Sequence, residues 1–315
     1  MKRREFISVL AGSAAAAAAD TLPRREHTGL LPKRSLGKTG ISLSVIGFSG
    51  LVARDSTPEA VEQVVGESLD RGVNFFDIAA SYGNSEVMLA PALRPHRKNI
   101  FLSSKTRERT REGAEADFNR SSEIMGTDHF DLYLVHGIQQ VDRDVDAAFA
   151  AGGAMAFLLE KQREGRIRFL GFSAHSTESA LAALERHPFD FFYFPVSYVP
   201  WLKADFGPAV LAEAQKKNVP CISLKSLSRQ RWPEGAPKAD RCAKCWYQPV
   251  EDDAEAALAM RWALSQPIVS ILPPGEERYY RKALELSGFL EPVTEEETGQ
   301  LRKLAEDLLP LFPRA

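Results

Sequence analysis

Long apolar runs are the first thing this sequence lacks. Beyond the N-terminus there is no stretch of about 18 apolar residues, so no membrane-spanning helix is expected in the body of the chain. An excess of one charge is also missing. Forty Lys and Arg face 42 Asp and Glu, for a net charge of −2. That balance argues against nucleic acid and against an anionic membrane surface as partners. Cysteine is scarce, at positions 221, 242 and 245. Cys242 and Cys245 form C-x-x-C in RCAKCWY, but no second pair or suitable histidine follows to complete a four-ligand zinc site. The pair is read first as plain thiols, then as a local disulfide, and last as a metal site. Cys221, inside VPCISL, reads as a small core residue. No G-x-G-x-x-G follows the first apolar strand, which counts against an open dinucleotide-binding sheet.

What is present starts at the N-terminus, MKRREFISVLAGSAAAAAAD. Arg3 and Arg4 form a paired-arginine n-region, Val9 to Ala19 a weakly apolar h-region, and Ala17–Ala19 a small-residue cleavage site. Residues 1–19 are therefore read as a twin-arginine export signal and residues 20–315 as the folded domain. The expected location is periplasmic or otherwise exported, with the twin-arginine translocase as a transient partner and no stable membrane anchor. That route carries folded proteins, which suits an enzyme that takes up its cofactor in the cytoplasm.

Along the rest of the chain, apolar runs alternate with helical patterns. Strands are expected at 44–48, 73–78, 99–105, 130–136, 168–173, 190–198, 219–225 and 268–273. Helices are expected between them, among them 57–72, 111–125, 145–164, 207–217 and 252–267. Eight such units in one chain of this length predict a single (β/α)8 barrel, with its continuous apolar strands covered by helices. The long irregular piece at 226–250 follows the seventh strand and would lie over the catalytic face. No heptad or apolar surface stripe suggests a partner copy, so a monomer is expected.

Polar residues close three consecutive apolar strands. Asp77 ends FFD and is followed by Tyr82 in SYGNSE, Lys105 ends FLSSK, and His136 ends DLYLVH. In a barrel those ends converge on one mouth. A buried polar group is costly unless paired, and here each can satisfy another. A tyrosine hydroxyl titrates near about 10. A nearby ammonium favours the phenolate and is expected to lower that value. Tyr82 beside Lys105 is then a general acid for carbonyl reduction, or a base for alcohol oxidation. No side chain here donates hydride, so a cofactor must.

The chain resembles the aldo-keto reductase superfamily. FFDIAASYGNSE, IFLSSKT, DLYLVHGI and KQREGRIRFLGFSAHS are similar to that family's motifs, and RSLGKTGISLSVIGFSG to its opening hairpin and first strand. The similarity runs over about residues 33–300, in the expected order. It implies a barrel with an N-terminal β-hairpin and a C-terminal helix, and a catalytic tetrad of Asp77, Tyr82, Lys105 and His136. It also implies NADP(H), or alternatively NAD(H), and a small carbonyl or sugar-like substrate. Ser173, Lys225, Gly275 and Arg278 are the cofactor-binding candidates that the resemblance leaves. Ala174 and Pro195 stand where the family usually has Asn and Gln, and Leu224 or Lys225 where an aromatic often stacks on the nicotinamide. The resemblance thus implies an intact tetrad with a thinned cofactor grip. Two alternatives remain: a non-redox lyase or epimerase, and a non-catalytic, nucleotide-sensing subunit. Trp201, Trp232, Trp246, Tyr198 and His175 are read either as pocket lining or as packing residues.

Overall fold

The computed structural model describes residues 29–237, 241–288 and 290–312. Residues 1–19, expected to be an export signal, lie outside the described residues. An antiparallel hairpin comes first, β1 (Lys33–Ser35) and β2 (Ser42–Ser44). The barrel strands follow: β3 (Phe48–Ser49), β4 (Phe75–Asp77), β5 (Phe101–Thr106), β6 (Phe130–Ile138), β7 (Ile167–Ala174), β8 (Phe191–Pro195) and β9 (Cys221–Leu224). A second hairpin, β10 (Ser228–Arg231) and β11 (Tyr247–Pro249), precedes the last barrel strand, β12 (Ile268–Leu272). The eight barrel strands pair in parallel in that order. Gly47 N donates to Ile271 O at 2.9 Å and Ile271 N to Val45 O at 2.9 Å, which closes last strand onto first. A closed (β/α)8 barrel is therefore the architecture.

The helices are α1 (Pro58–Asp70), α2 (Ser85–Leu93), α3 (Arg111–Met125), α4 (Ala147–Phe149), α5 (Ala154–Arg163) and α6 (Thr177–Arg186). They continue with α7 (Tyr198–Ala204), α8 (Pro208–Lys217), α9 (Asp253–Ser265), α10 (Glu277–Leu286) and α11 (Glu295–Ala305). Local chemistry sets their ends. Thr57 caps α1 by accepting from Ala60 N, with Pro58 at the start of the helix and Val61, Val64 and Val65 buried on one face. Thr294 and Glu297 cap α11 reciprocally. Among the described residues no helix is long and apolar enough to cross a membrane.

Three expectations are corrected. The helix expected at 145–164 is interrupted: α4 ends at Phe149, and Gly152, at φ 81°, turns the chain into α5. The strand expected at 190–198 ends at Pro195, and Tyr198 is already helical, with Pro200 fitting the first turn of α7. The piece at 226–250 is not irregular throughout but contains the hairpin β10–β11.

Side-chain alternation along the strands sorts two packed layers. Phe75, Leu132, Leu134, Phe191, Tyr193 and Ile222 share the barrel interior with Leu36, Ile41 and Leu43 of the first hairpin. Phe76, Tyr133, Phe172 and Phe192 pack outward under the helices. Asp77 is two residues from Phe75, and His136 two from Leu134, so inward parity carries both to the end of the barrel lumen.

Candidate active site

Lys105 and Asp77 form the buried centre of the site. Lys105 Nζ donates to Asp77 Oδ1 at 2.6 Å and Oδ2 at 2.5 Å, with the two side chains 1% and 2% exposed. Burial lowers the Lys105 pKa, but Asp77 and then Tyr82 together more than reverse that, and the pKa is raised. Burial likewise pushes the Asp77 carboxyl upward, and Lys105 pulls it back.

Tyr82 sits over this pair. Lys105 Nζ is 5.0 Å from its ring centroid, and its ring meets His136 edge-on with centroids 5.8 Å apart. The expected direction of the Tyr82 shift is corrected. Burial raises its pKa, Asp77 adds to that, and Lys105 and Arg107 only partly offset the rise. Tyr82 is thus a hydroxyl held protonated. His136 is pushed well below its usual value by burial and then by Lys105 and other cations, so its imidazole is neutral. Ser81 Oγ lies 3.4 Å from His136 Nδ1. The left-handed residue after His136 is Gly137, at φ 68°, and its N–H donates to Ser173 Oγ at 2.7 Å. That bond leaves the Ser173 hydroxyl free to donate in turn.

Two other contributors, Tyr193 and Ser103, were not read from the sequence. Tyr193 OH and Ser103 Oγ are 2.8 Å apart, and Lys105 Nζ lies 5.2 Å from the Tyr193 ring centroid. Tyr193 therefore forms a second wall around the ammonium. Lys225 Nζ is 2.8 Å from His175 Nε2 and 5.8 Å from the Trp246 ring centroid.

The remaining candidates have distinct surroundings. Gly275 packs on Leu51 so closely that a Cβ there would come within 2.4 Å of Leu51 Cβ. Arg278 is 63% exposed, 3.2 Å from Glu251, and donates to Tyr279 OH at 2.7 Å. Trp201 packs edge-on against Trp262 in the outer layer, and Tyr198 donates to Glu255 at 2.6 Å. Trp232 Nε1 donates to Cys245 O at 3.3 Å inside the hairpin. Cys242 and Cys245 are free thiols near its tip. Among the described residues no group of three or more His, Cys, Asp and Glu could hold a metal ion.

Residues 45–241 match the Aldo/keto reductase family. The chain belongs to that family. Aldo-keto reductase str7 of Strobilurus tenacellus is 26% identical over 325 residues, 91% of this chain and 93% of the relative. An aldo-keto reductase of Mycobacterium sp. (strain KMS) is 30% identical over 136 residues, 41% of this chain and 46% of the relative. Among solved structures, the holo form of aldo-keto reductase AKR11C1 from Bacillus halodurans superposes with a TM-score of 0.67 at 21% identity, covering 90% of this chain and all of that one. Its apo form gives 0.64 at 22% identity, with the same coverage of this chain. Those structural likenesses establish the barrel; family membership supports an oxidoreductase.

A nicotinamide dinucleotide, which members of this family generally use, would meet two different surroundings in this aldo/keto reductase. The free Ser173 hydroxyl, bonded to the residue after His136, would give its nicotinamide end a fitting donor. The start of α10, which the family resemblance gives to the phosphates, carries Glu276 at its N-cap and Glu277 in its first turn, and Glu276 accepts from Lys244 N at 2.8 Å. Lys244 Nζ also donates to Val52 O at 2.8 Å, so the hairpin bridges from β9 to the turn after β3. The residues present suit the reacting ring better than they suit its distant phosphates.

Proposed function

We propose that the protein interconverts a carbonyl compound and its alcohol, with Tyr82 moving the proton. The observation that carries this reading is the Lys105 ammonium, bound to both Asp77 oxygens and 5.0 Å from the Tyr82 ring centroid. A nicotinamide, NADP(H) first and NAD(H) second, would supply the hydride, held in part by Ser173.

The chain's own residues do the acid–base work. The Tyr82 hydroxyl stays protonated because burial and Asp77 keep its pKa high. It donates to the carbonyl oxygen as negative charge develops there, since an alkoxide is far more basic than a phenolate. Lys105 stabilises the phenolate that remains, and Asp77 holds Lys105 charged. Neutral His136 can donate a hydrogen bond to the same oxygen without adding a charge.

Residues 1–19 are proposed to direct export as a folded protein to the periplasm, through the twin-arginine translocase. One observation favours the alternative of a non-catalytic subunit, namely the Lys244 bridge between Glu276 and Val52. Titrating residues 20–315 with NADPH and NADH, then screening aldehydes, ketones and oxidised sugars for turnover, decides between them. Saturable nucleotide binding with carbonyl-dependent oxidation supports the reductase. A folded, nucleotide-free protein that binds neither cofactor sinks it.

A further inference from the structure

The barrel mouth holds more positive charge than its acid–base chemistry uses. Lys105 is neutralised by Asp77, and Arg109 is committed to Asp144 at 3.0 Å. Lys225 is different. Its ammonium faces His175 Nε2 at 2.8 Å and the Trp246 ring at 5.8 Å, and among the described residues no carboxylate offsets it. Arg107, exposed on the rim, adds its charge and depresses both His136 and His175.

Two further features mark Lys225. Its backbone is left-handed, at φ 61°, a conformation that non-glycine residues adopt at a cost and that clusters at ligand sites. His175, which accepts from it, carries its other ring nitrogen, Nδ1, buried without a partner. A leucine at position 225 would avoid an uncompensated cation, so the charge calls for a counter-ion from outside the chain. A cleft lined by one sign of charge also concentrates ligands of the other sign.

We propose that Lys225, positioned by His175, binds the carboxylate of the substrate, so that the carbonyl compound turned over here is an oxo acid. The Lys225 ammonium donates one hydrogen to His175 Nε2 and keeps two for the carboxylate oxygens. Trp246, 59% exposed, flanks the same ammonium and offers an apolar face to the substrate's carbon chain. The inference rests on the carbonyl-reductase reading above. The same ammonium could instead meet a phosphate of the cofactor, and the experiment separates the two sources.

The test uses the mature chain and paired probes: linear 2-oxo acids of increasing length, each with its methyl ester. Binding is followed by Trp emission, with Trp246→Phe as the blank, and NADPH is titrated separately. The wild type should bind at least one acid about tenfold or more above its ester, and Lys225→Met should abolish that preference. Lys225→Arg should restore part of it, while affinity for the esters and for NADPH stays unchanged in both variants. If every acid binds no better than its ester, the proposal falls. If Lys225→Met weakens NADPH instead, the cation belongs to the cofactor and the proposal falls. Acid binding lost in Lys225→Met without any NADPH-dependent turnover would keep the anion site and refute only the reductase reading.

Discussion

Lys105 donates to both carboxylate oxygens of Asp77 from a position 5.0 Å from the Tyr82 ring centroid, so one buried ammonium is shared by the fold and the proposed chemistry. The two roles can be separated. Asp77→Asn leaves that ammonium buried and unpaired and should lower stability by about 3–5 kcal/mol. The double variant Asp77→Asn/Lys105→Met removes the orphaned charge and should regain much of the loss. Urea midpoints of the three proteins check this. A double variant no more stable than the single one would show that the charge is not the cause.

Tyr82→Phe removes only the hydroxyl. The ring keeps its edge-on contact with His136, so the melting temperature should barely move. Turnover should fall by about 10²–10⁴-fold, the usual range for losing a positioned general acid. Affinity for nucleotide should be retained. Near-normal turnover in the variant would remove Tyr82 from the mechanism.

Burial and neighbouring cations depress the pKa of both His136 and His175 well below the usual 6.5. Between the depressed folded value and 6.5 the unfolded chain binds more protons than the folded one. The histidines' contribution to stability is therefore full above about pH 6.5 and is lost as the pH falls below it. His136→Gln should flatten that acid-side slope. A wild-type melting temperature that rises between about pH 6.5 and pH 5 would contradict the assignment.

The barrel and the placing of Asp77, Lys105 and His136 at its mouth were legible in the sequence because both follow from alternation. FFD, FLSSK and DLYLVH each place their last polar residue at inward parity, two residues beyond an inward one. Tyr193 was not legible. In FFYFP every residue is bulky, and nothing local says which parity faces the lumen. The hairpin's course was hidden for another reason. It is fixed by distant partners, Lys244 with Glu276 and Arg231 with Leu309 and Leu311. The Gly152–Gly153 break was visible and should have split the helix. The direction of the Tyr82 shift depends on depth of burial, which residue order does not state.

Lys225 sets the last prediction, because its burial acts on stability as well as on binding. Its pKa falls from 10.5 to about 7, chiefly through burial and then through Lys105. His175 from the end of β7 and Lys105 from β5 face it, and neither supplies negative charge. Below about pH 7 the lysine is charged in both folded and unfolded chains, and the folded state bears the full penalty. Between about pH 7 and pH 10.5 the unfolded chain holds the extra proton, so stability rises with pH as the penalty is relieved. Lys225→Met should therefore raise the melting temperature, most at about pH 6 and least at about pH 10. An oxo acid should raise the melting temperature of the wild type at pH 6 and leave the variant unmoved, since the added carboxylate supplies the missing counter-charge. A Lys225→Met protein less stable than wild type at every pH would mean that the ammonium already has its partner within the fold.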